Sequence, residues 1–300
     1  MWIRLGSDPR TLCAQFLDSN DAYPLLEQLG GLIRTGPTGT NVCDLQVLLL
    51  GEPCAPTGPG ATVDPWLATT CSLPGRPSRT QQPREPAPSA WLLEAAPDEH
   101  PEDLWALGAD LEAGTLLQAY RLGLFPMPIG PRLGWFSPRR RAIVSLASFT
   151  ASRSLRRAAR EFEIRVDTAF ADVVSGCARP GEPQSWIDER IEEAYTGLHT
   201  LGWAHSVEAW DADGLAGGLY GVAIGGLFAA ESMYHARTGA SKAAFVALVG
   251  LLGEAGDADC RVLDVQWLTP HLASLGAVEI DRAEYRTRLT RAVSLRSPFT

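Results

Sequence analysis

The sequence predicts an α+β fold in which helices pack on a mixed, largely antiparallel sheet. Short apolar runs bounded by glycine-containing turns are typical of strands, and longer segments with apolar residues three and four positions apart are typical of helices. Three strand-like runs follow one another across tight turns within residues 205–233, which indicates an antiparallel meander. A helix then separates this meander from a later strand, so both element types pack in one layered unit.

Helices are expected where apolar side chains recur on one face. The expected helices are 111–124, 152–160, 168–177, 186–201, 240–253, 270–275 and 282–293. Gly123 and Pro126 end the first of them, and 186–201 carries the clearest apolar stripe.

Strands are expected where short apolar runs lie between turn residues. The expected strands are 163–166, 205–210, 215–223, 227–233 and 261–267. Residues 211–214 and the pair Gly225 and Gly226 supply the turns of the meander. The proline-containing stretch 126–138 is expected to be a loop-rich connection.

Composition divides the chain into three parts. Residues 53–88 contain nine prolines among Gly, Ser, Thr and Gln, a composition that buries too little apolar surface to order itself. We therefore expect residues 1–88 to be a disordered extension without chemistry. Residues 89–141 are expected to form a small α/β domain, and residues 142–300 the main domain.

The overall composition excludes several classes of protein. The 300 residues are 45% hydrophobic, enough for one or two ordinary cores, and no window approaches 18 consecutive apolar residues. The first residues lack the pattern of a signal peptide. The six cysteines form no C-x-x-C pair and no Cys/His metal spacing. We therefore expect a cytoplasmic protein without a membrane partner and without a metal.

Charge is distributed unevenly along the chain. The net charge of −9 argues against a nucleic-acid partner, yet residues 132–165 hold nine arginines against Glu161 and Glu163. Arg153, Arg156 and Arg157 fall on neighbouring turns of an expected helix. Such a patch suits a polyanion that docks in one orientation, and a solvated arginine-rich face is the alternative.

One lysine stands among 26 basic residues. Lys242 lies near the start of the expected helix 240–253, where its ammonium and the helix N-terminal amides can share an anion. Chance retention of a single lysine is the alternative reading.

Three polar residues interrupt otherwise core-like sequence within residues 217–277. Asp264 and Gln266 lie two apart on an expected strand and so share one face, opposite Leu263, Val265 and Trp267. A carboxylate beside an amide can orient a nucleophile that carries N–H protons, because the amide oxygen accepts from it. Glu231 follows an apolar run at a strand end. A solvated strand face and an exposed strand end are the alternatives.

The order of meander, helix and strand resembles the acetyltransferase (GNAT) fold. That fold normally binds the coenzyme A pyrophosphate through an R-x-x-G-x-G/A loop at the helix start. The corresponding residues here, 235–242, read HARTGASK, with Arg237 and Gly239 at the wrong spacing. Coenzyme A is therefore not expected, and no other cofactor is indicated.

Residues 91–297 resemble the bacterial leucyl/phenylalanyl-tRNA–protein transferase family. The matching pieces are ALGADL (106–111), LLQAYRLGLFP (116–126), WFSPR (135–139), SRSLRR (152–157), SWI (185–187), LHTLGWAHSVEAW (198–210), GGLYGV (217–222), ESMY (231–234), ASK (240–242), LDVQ (263–266) and HLASLGA (271–277). The resemblance implies a GNAT-like main domain that uses no coenzyme A. It also implies transfer of Leu, Phe or Met from aminoacyl-tRNA to proteins with N-terminal Arg or Lys, which marks them for degradation, by a monomeric enzyme.

The same resemblance implies roles for individual residues. Asp264 and Gln266 would position the acceptor amine beside Glu231, and Trp186 would stack on the 3′ adenosine of the tRNA. The donor side chain would be enclosed by Leu219, Phe228, Met233, Phe245 and Leu248. The tRNA would be contacted by Arg153, Arg156, Arg157 and Lys242.

The chain departs from the family pattern near the expected 3′-end site. Met127 and Phe136 replace two tryptophans, and Arg139 replaces an acidic residue. Two other functions stay open at this point: a coenzyme A-dependent N-acetyltransferase, and a tRNA-binding or N-degron adaptor without catalysis.

Overall fold

The computed structural model describes residues 3–4, 64, 66, 82–178 and 186–300. The expected disordered extension, 1–88, lies for the most part outside these residues. Within the described part no helix is long and apolar enough to cross a membrane.

The described part of the chain contains both strands and helices. The strands are β1 (Ile3–Arg4), β2 (Trp91–Leu92), β3 (Leu104–Leu107), β4 (Phe125–Ile129), β5 (Arg132–Phe136), β6 (Arg140–Val144), β7 (Glu163–Val166), β8 (Ala204–Asp211), β9 (Gly214–Ile224), β10 (Leu227–His235), β11 (Val262–Asp264) and β12 (Ala277–Asp281). The helices are α1 (Ala113–Arg121), α2 (Arg153–Ala158), α3 (Phe170–Ala178), α4 (Glu189–Thr200), α5 (Ala240–Glu254), α6 (Pro270–Ser274) and α7 (Arg282–Ala292).

The main sheet has seven strands in the order β12-β6-β11-β10-β9-β8-β7. Only β10 and β11 pair in parallel, and every other neighbouring pair is antiparallel. The expected meander is β8-β9-β10, and Gly225, with a φ of 60°, makes its second turn. A Cβ at Gly225 would lie 2.5 Å from the Val293 carbonyl oxygen, so both conformation and space require glycine there. The α+β class with a mixed, largely antiparallel sheet is confirmed.

A smaller sheet, in the order β3-β5-β4, precedes the main one. It corrects the expectation that 126–138 is a loop-rich connection, because β4 and β5 form a hairpin across these residues. Pro126 and Pro128 suggested a loop because proline cannot donate to a sheet ladder. They are accommodated because β4 is an edge strand, which needs donors on one side only. The domain boundary expected at 141/142 falls inside β6.

Apolar side chains cover both faces of the main sheet. Leu219 and Phe228 face α5, and the buried face between α5 and the sheet also holds Leu263. Tyr220 and Ala229, their neighbours in sequence, point to the opposite face, as alternation along a strand requires. Helix α5 is apolar nearly all round and almost fully buried, which fits a helix enclosed on several sides.

The strand expected at 261–267 is shorter in the structure. β11 ends at Asp264, and Gln266 has a φ of 58°, in the left-handed region. This backbone turn breaks the alternation, so Trp267 packs on the opposite side from Leu263 and Val265, with which it was expected to share a face. The change of direction at Gln266 opens the site described next.

Candidate active site

A cavity of about 430 Å³ lies beside the end of β11 and the second half of β10. We call it the β10–β11 cavity. It is lined by Phe125, Pro126, Met127, Trp186, Ala230, Glu231, Ser232, Met233, Val265, Gln266, Trp267, Thr269, His271 and Leu272. Four of the residues singled out from the sequence, Trp186, Glu231, Met233 and Gln266, therefore meet in one place.

Glu231 reaches the cavity because β10 has a bulge at this position. The pairing with β9 shifts between Ala230 and Ser232, which leaves Glu231 without a partner residue in the ladder. A bulge re-aims a side chain and is common beside active sites. Glu231 therefore lines the cavity and does not stand at an exposed strand end, and its part in the reaction stays a prediction.

Two tyrosines and one amide bind the Glu231 carboxylate. Tyr120 donates to Oε1 (2.7 Å) and Tyr195 donates to Oε2 (3.1 Å). The Gln266 amide nitrogen lies 3.3 Å from Oε1, and the two tyrosine hydroxyls also touch each other. We call Tyr120, Tyr195, Glu231 and Gln266 the polar cluster.

Burial dominates the electrostatics of the polar cluster. Removal from water raises the pKa of Glu231 to about 7, although the two tyrosine hydrogen bonds partly oppose this rise. Burial and the nearby Glu231 charge also raise the pKa values of Tyr120 and Tyr195 well above their usual range. Both phenols therefore stay protonated and act as donors, while Glu231 can gain or lose a proton near neutrality.

Gln266 is held in a conformation that is uncommon for its residue type. A φ of 58° costs a residue with a Cβ roughly 1–2 kcal/mol. Its backbone N–H donates to Oδ1 of Asp264 (3.0 Å), which stabilises the turn. Its amide nitrogen points to Glu231, and among the described residues no donor binds its amide oxygen. That oxygen is available to accept a hydrogen bond.

Asp264 lies behind the cavity and not in its lining. Its side chain is fully buried and accepts two hydrogen bonds from Arg141, from Nε to Oδ1 (2.9 Å) and from Nη2 to Oδ2 (2.6 Å). Tyr285 donates a third to Oδ2 (2.7 Å). The sequence predicted that Asp264 and Gln266 lie close together because both side chains point to the same face of one strand. The structure joins them through the left-handed turn at Gln266 instead.

Sequence reasoning missed four of these residues. Tyr120 and Tyr195 fit the apolar stripes of their helices, so nothing in the pattern marks their hydroxyls. Tyr285 also looks like a core residue of its helix. Arg141 was counted in the basic patch, yet its side chain is 1% exposed, so this residue corrects that count. The signal that could have found Arg141 is its position in an apolar strand, RRAIV.

The expected donor-pocket residues occupy two different positions. Met233 lines the cavity. Leu219, Phe228, Phe245 and Leu248 are fully buried in the core between the sheet and α5, behind the cavity wall. Their enclosure of the donor side chain stays a prediction.

Aromatic residues form one wall of the cavity. Trp186 lies just before α4, which begins at Glu189 and not at Trp186 as expected, because Asp188 caps the helix by accepting from the Ile191 N–H (3.1 Å). Phe125, Phe136 and Trp267 pack together with ring centroids 4.8–6.0 Å apart.

The three departures from the family pattern take different positions. Met127 lines the cavity, and Phe136 supports the wall from behind. Arg139 is exposed and lies outside the cavity lining.

The expected tRNA-binding residues differ in their exposure and in their contacts with other side chains. Arg153 and Arg157 of α2 are exposed, and Arg157 pairs with Glu161. Arg156 is half-buried and pairs with Asp64 (2.8 Å), a residue of the N-terminal extension. Burial lowers the pKa of the His271 imidazole, and the positive charge of Lys242, in the first turn of α5, lowers it further.

The residues at the start of α5 are not arranged as a phosphate-binding loop. Arg237 forms ion pairs with Asp211 and Asp213, and Gly239 caps α5 with a φ of 94°. In the described part of the chain no group of three or more His, Cys, Asp or Glu side chains could hold a metal ion.

Two family models match this chain. A family model described as leucyl/phenylalanyl-tRNA protein transferase matches residues 143–290, and a model of the N-terminal domain of the same family matches residues 109–139. The solved structure of L-PGS from Bacillus licheniformis matches 54% of this chain and 55% of its own at 16% identity, with a TM-score of 0.31.

Three curated relatives share the name leucyl/phenylalanyl-tRNA–protein transferase. The protein from Aromatoleum aromaticum is 47% identical over 62% of this chain and 80% of its own length. The protein from Akkermansia muciniphila is 48% identical over 59% of this chain and 94% of its own. The protein from Chlorobium limicola is 45% identical over 63% of this chain and 99% of its own. This chain therefore belongs to the leucyl/phenylalanyl-tRNA–protein transferase family and is an aminoacyltransferase.

Proposed function

We propose that this enzyme transfers Leu, Phe or Met from aminoacyl-tRNA to the α-amino group of proteins that begin with Arg or Lys, marking them for degradation. The observation that carries the proposal is the pairing of Glu231 and Gln266 at the wall of an otherwise mostly apolar cavity. An apolar donor side chain and a polar acceptor amine need these two kinds of surface side by side.

The reaction forms an amide bond from an ester. The acceptor nitrogen attacks the aminoacyl carbonyl carbon, the carbon–nitrogen bond forms, and the bond to the ribose oxygen breaks. The amine loses one proton, and the departing ribose hydroxyl gains one. A free α-amine has a pKa of about 8, so an appreciable fraction is already neutral near pH 7.

Gln266 and Glu231 can serve the acceptor amine in different ways. The Gln266 amide oxygen accepts one N–H and so aims the nitrogen lone pair at the ester. Glu231, with a pKa of about 7, can take the proton that the nitrogen loses and return it to the leaving oxygen. Correct placement of the two reactants supplies much of the remaining acceleration.

The apolar part of the cavity suits the donor. Met233 lies next to Glu231 in the lining, and the buried core behind it holds the other predicted pocket residues. Trp186 offers an aromatic face at the same cavity for the terminal adenosine. Exclusion of misfit side chains would be worth roughly 1–3 kcal/mol per methylene.

The test is incorporation of labelled leucine from leucyl-tRNA into a peptide with N-terminal Arg. The wild-type enzyme should label this peptide, and a peptide with an acetylated N-terminus should stay unlabelled. Gln266→Ala should lower transfer strongly while tRNA binding is retained. Full transfer by both Gln266→Ala and Glu231→Gln would contradict the assigned roles.

The same assay separates the two other readings. An adaptor would bind charged tRNA and the Arg peptide but label neither. A coenzyme A-dependent acetyltransferase would bind acetyl-coenzyme A in calorimetry. Arg237 is the arginine that precedes α5 in the sequence, and its ion pairs with Asp211 and Asp213 argue against binding of coenzyme A there.

A further inference from the structure

Arg141 makes contacts on every side of its guanidinium. In addition to its two bonds to Asp264, Nη1 donates to the Gly123 carbonyl oxygen (3.2 Å). The rings of Phe125 and Tyr285 lie against the guanidinium, at 4.6 and 4.5 Å from its carbon to the ring centroids. This environment is built for a planar, forked cation, and a lysine ammonium could not reproduce its contacts.

Stability alone does not account for this arrangement. A buried ion pair costs desolvation on both sides, and replacing such a pair with apolar residues of similar volume is often neutral or stabilising. The pair lies directly behind Gln266, whose backbone N–H shares Oδ1 of Asp264 with the Arg141 Nε. The location of the Arg141–Asp264 pair therefore indicates that it supports a residue of the cavity.

Arg141 connects the two chain segments that carry the polar cluster. Gly123 lies three residues after Tyr120, which donates to Glu231, and Asp264 lies two residues before Gln266. A single side chain on β6 thus holds the end of α1 against the end of β11. A shift of the β11 end would move the amide of Gln266 relative to Glu231, and a shift of the α1 end would move Tyr120, which donates to Glu231.

The conformation of Gln266 depends on this support. Left-handed backbone is disfavoured for glutamine, and strain of this kind persists only where the surroundings hold it in place. Two contacts hold this backbone: the Gln266 N–H donates to Oδ1 of Asp264, and the Gln266 carbonyl oxygen accepts from the Ala142 N–H (2.9 Å). Arg141 fixes the carboxylate that accepts the first of these bonds.

We propose that Arg141, acting through Asp264 and assisted by Tyr285, is a positioning residue that sets the orientation of the Gln266 amide. In this arrangement Asp264 does not touch the substrates, and its carboxylate serves the backbone of Gln266. The proposal rests on the proposed function, because the rate it affects is that of aminoacyl transfer.

The test is a double-mutant cycle on single-turnover transfer with the full-length protein, using Arg141→Lys, Gln266→Ala and the double variant. Arg141→Lys should lower the rate at saturating leucyl-tRNA and Arg peptide by roughly 10- to 100-fold, with little change in the peptide KM or in tRNA affinity. In the Gln266→Ala background the same substitution should change the rate less than about threefold, because the group that it positions is gone. Equal fold losses in both backgrounds would overturn the proposal.

Arg282→Lys is the matched control. Arg282 is also almost fully buried, but its guanidinium donates to backbone carbonyl oxygens, including those of Ser137 and Glu102, and not to the polar cluster. A loss of rate as large in Arg282→Lys as in Arg141→Lys would indicate general loosening and would also overturn the proposal.

If thermal unfolding shows that Arg141→Lys does not fold, Tyr285→Phe takes its place in the double-mutant cycle. It deletes one hydrogen bond to Asp264 and retains the ring beside Arg141. A smaller rate loss that likewise disappears in the Gln266→Ala background supports the proposal, and one that persists there contradicts it. An inactive wild-type enzyme would instead contradict the proposed function, so the two failures are distinguishable.

Discussion

The amide nitrogen of Gln266 lies 3.3 Å from Oε1 of Glu231. Glu231 lies at the bulge in β10, and Gln266 lies at the left-handed turn that follows β11. The contact orients the amide, because donation by its nitrogen leaves the oxygen as the group available to a substrate. It also binds the carboxylate at the cavity wall while leaving it able to titrate near pH 7. The proposed roles of Glu231 and Gln266 both depend on this one contact.

Glu231 should make the stability of the protein depend on pH. Its pKa rises from 4.5 in the unfolded chain to about 7 in the fold, so the folded state holds a proton that the unfolded state has lost. This contribution is fully present below pH 4.5 and is lost as the pH rises through about 7. Glu231→Gln lacks this pH-dependent contribution. The difference in unfolding free energy, variant minus wild type, should therefore be larger at pH 8 than at pH 4.5 by up to about 3 kcal/mol. Denaturant unfolding at both pH values measures this, and parallel stability curves for the two proteins would contradict it.

Tyr120 and Tyr220 form a matched pair for testing the hydrogen bonds to Glu231. Tyr120→Phe removes a donor from a half-buried carboxylate and should cost about 1–3 kcal/mol of unfolding free energy. It should also raise the pKa of Glu231 further, because the lost bond favours the charged form. The Tyr220 hydroxyl is buried without a hydrogen-bond partner among the described residues, so Tyr220→Phe should be neutral or stabilising. Equal losses in the two variants would contradict the role of the Tyr120 bond.

Gln266→Asn should separate backbone conformation from side-chain reach. Asparagine adopts positive φ more readily than most residues, so the turn and the stability should be retained. Its side chain is one methylene shorter, so its amide should not reach Glu231, and transfer should fall about tenfold or more. Transfer kinetics and thermal unfolding on the same sample measure both effects. Wild-type transfer by Gln266→Asn would show that the reach of the amide is immaterial.

The arginines of α2 should contribute unequally to tRNA binding. Arg153→Ala should weaken binding and lower the salt dependence by about one counterion, because this side chain is exposed. Arg156→Ala should have a smaller effect, since Arg156 is engaged by Asp64 and lies over the ring of Trp66. Binding measured across a range of salt concentrations distinguishes them, and a larger effect at Arg156 would contradict this ranking.

Much of the fold could be predicted because its elements follow local rules. The β8-β9-β10 meander and α5 have clear turns and apolar periodicity, and their bounds differ from the expected ones by at most two residues. The β4-β5 hairpin could not be predicted in this way, because Pro126 and Pro128 normally exclude a strand. Only the position of β4 at a sheet edge, which is a tertiary fact, allows them.

The site could be predicted in part for a similar reason. Glu231 and Gln266 stand out because they are polar within apolar sequence. Tyr120 and Tyr195 do not, because a tyrosine satisfies an apolar stripe while its hydroxyl serves a partner up to 111 residues away. Arg141 looked like part of a surface patch, and only the pairing of β6 with β11 places it beside Asp264. The pattern of apolar and polar residues in the sequence does not predict hydrogen bonds between distant segments.

The most direct measurement is the pH dependence of single-turnover transfer by wild type and by Glu231→Gln on the same Arg peptide. The free peptide amine titrates identically in both reactions, so the ratio of the two rates isolates the effect of Glu231. We expect this ratio, wild type over variant, to rise as the pH passes through about 7, where the carboxylate becomes able to accept the amine proton. A ratio that stays constant across this range would contradict the assignment of Glu231 as the group that takes the proton of the acceptor amine.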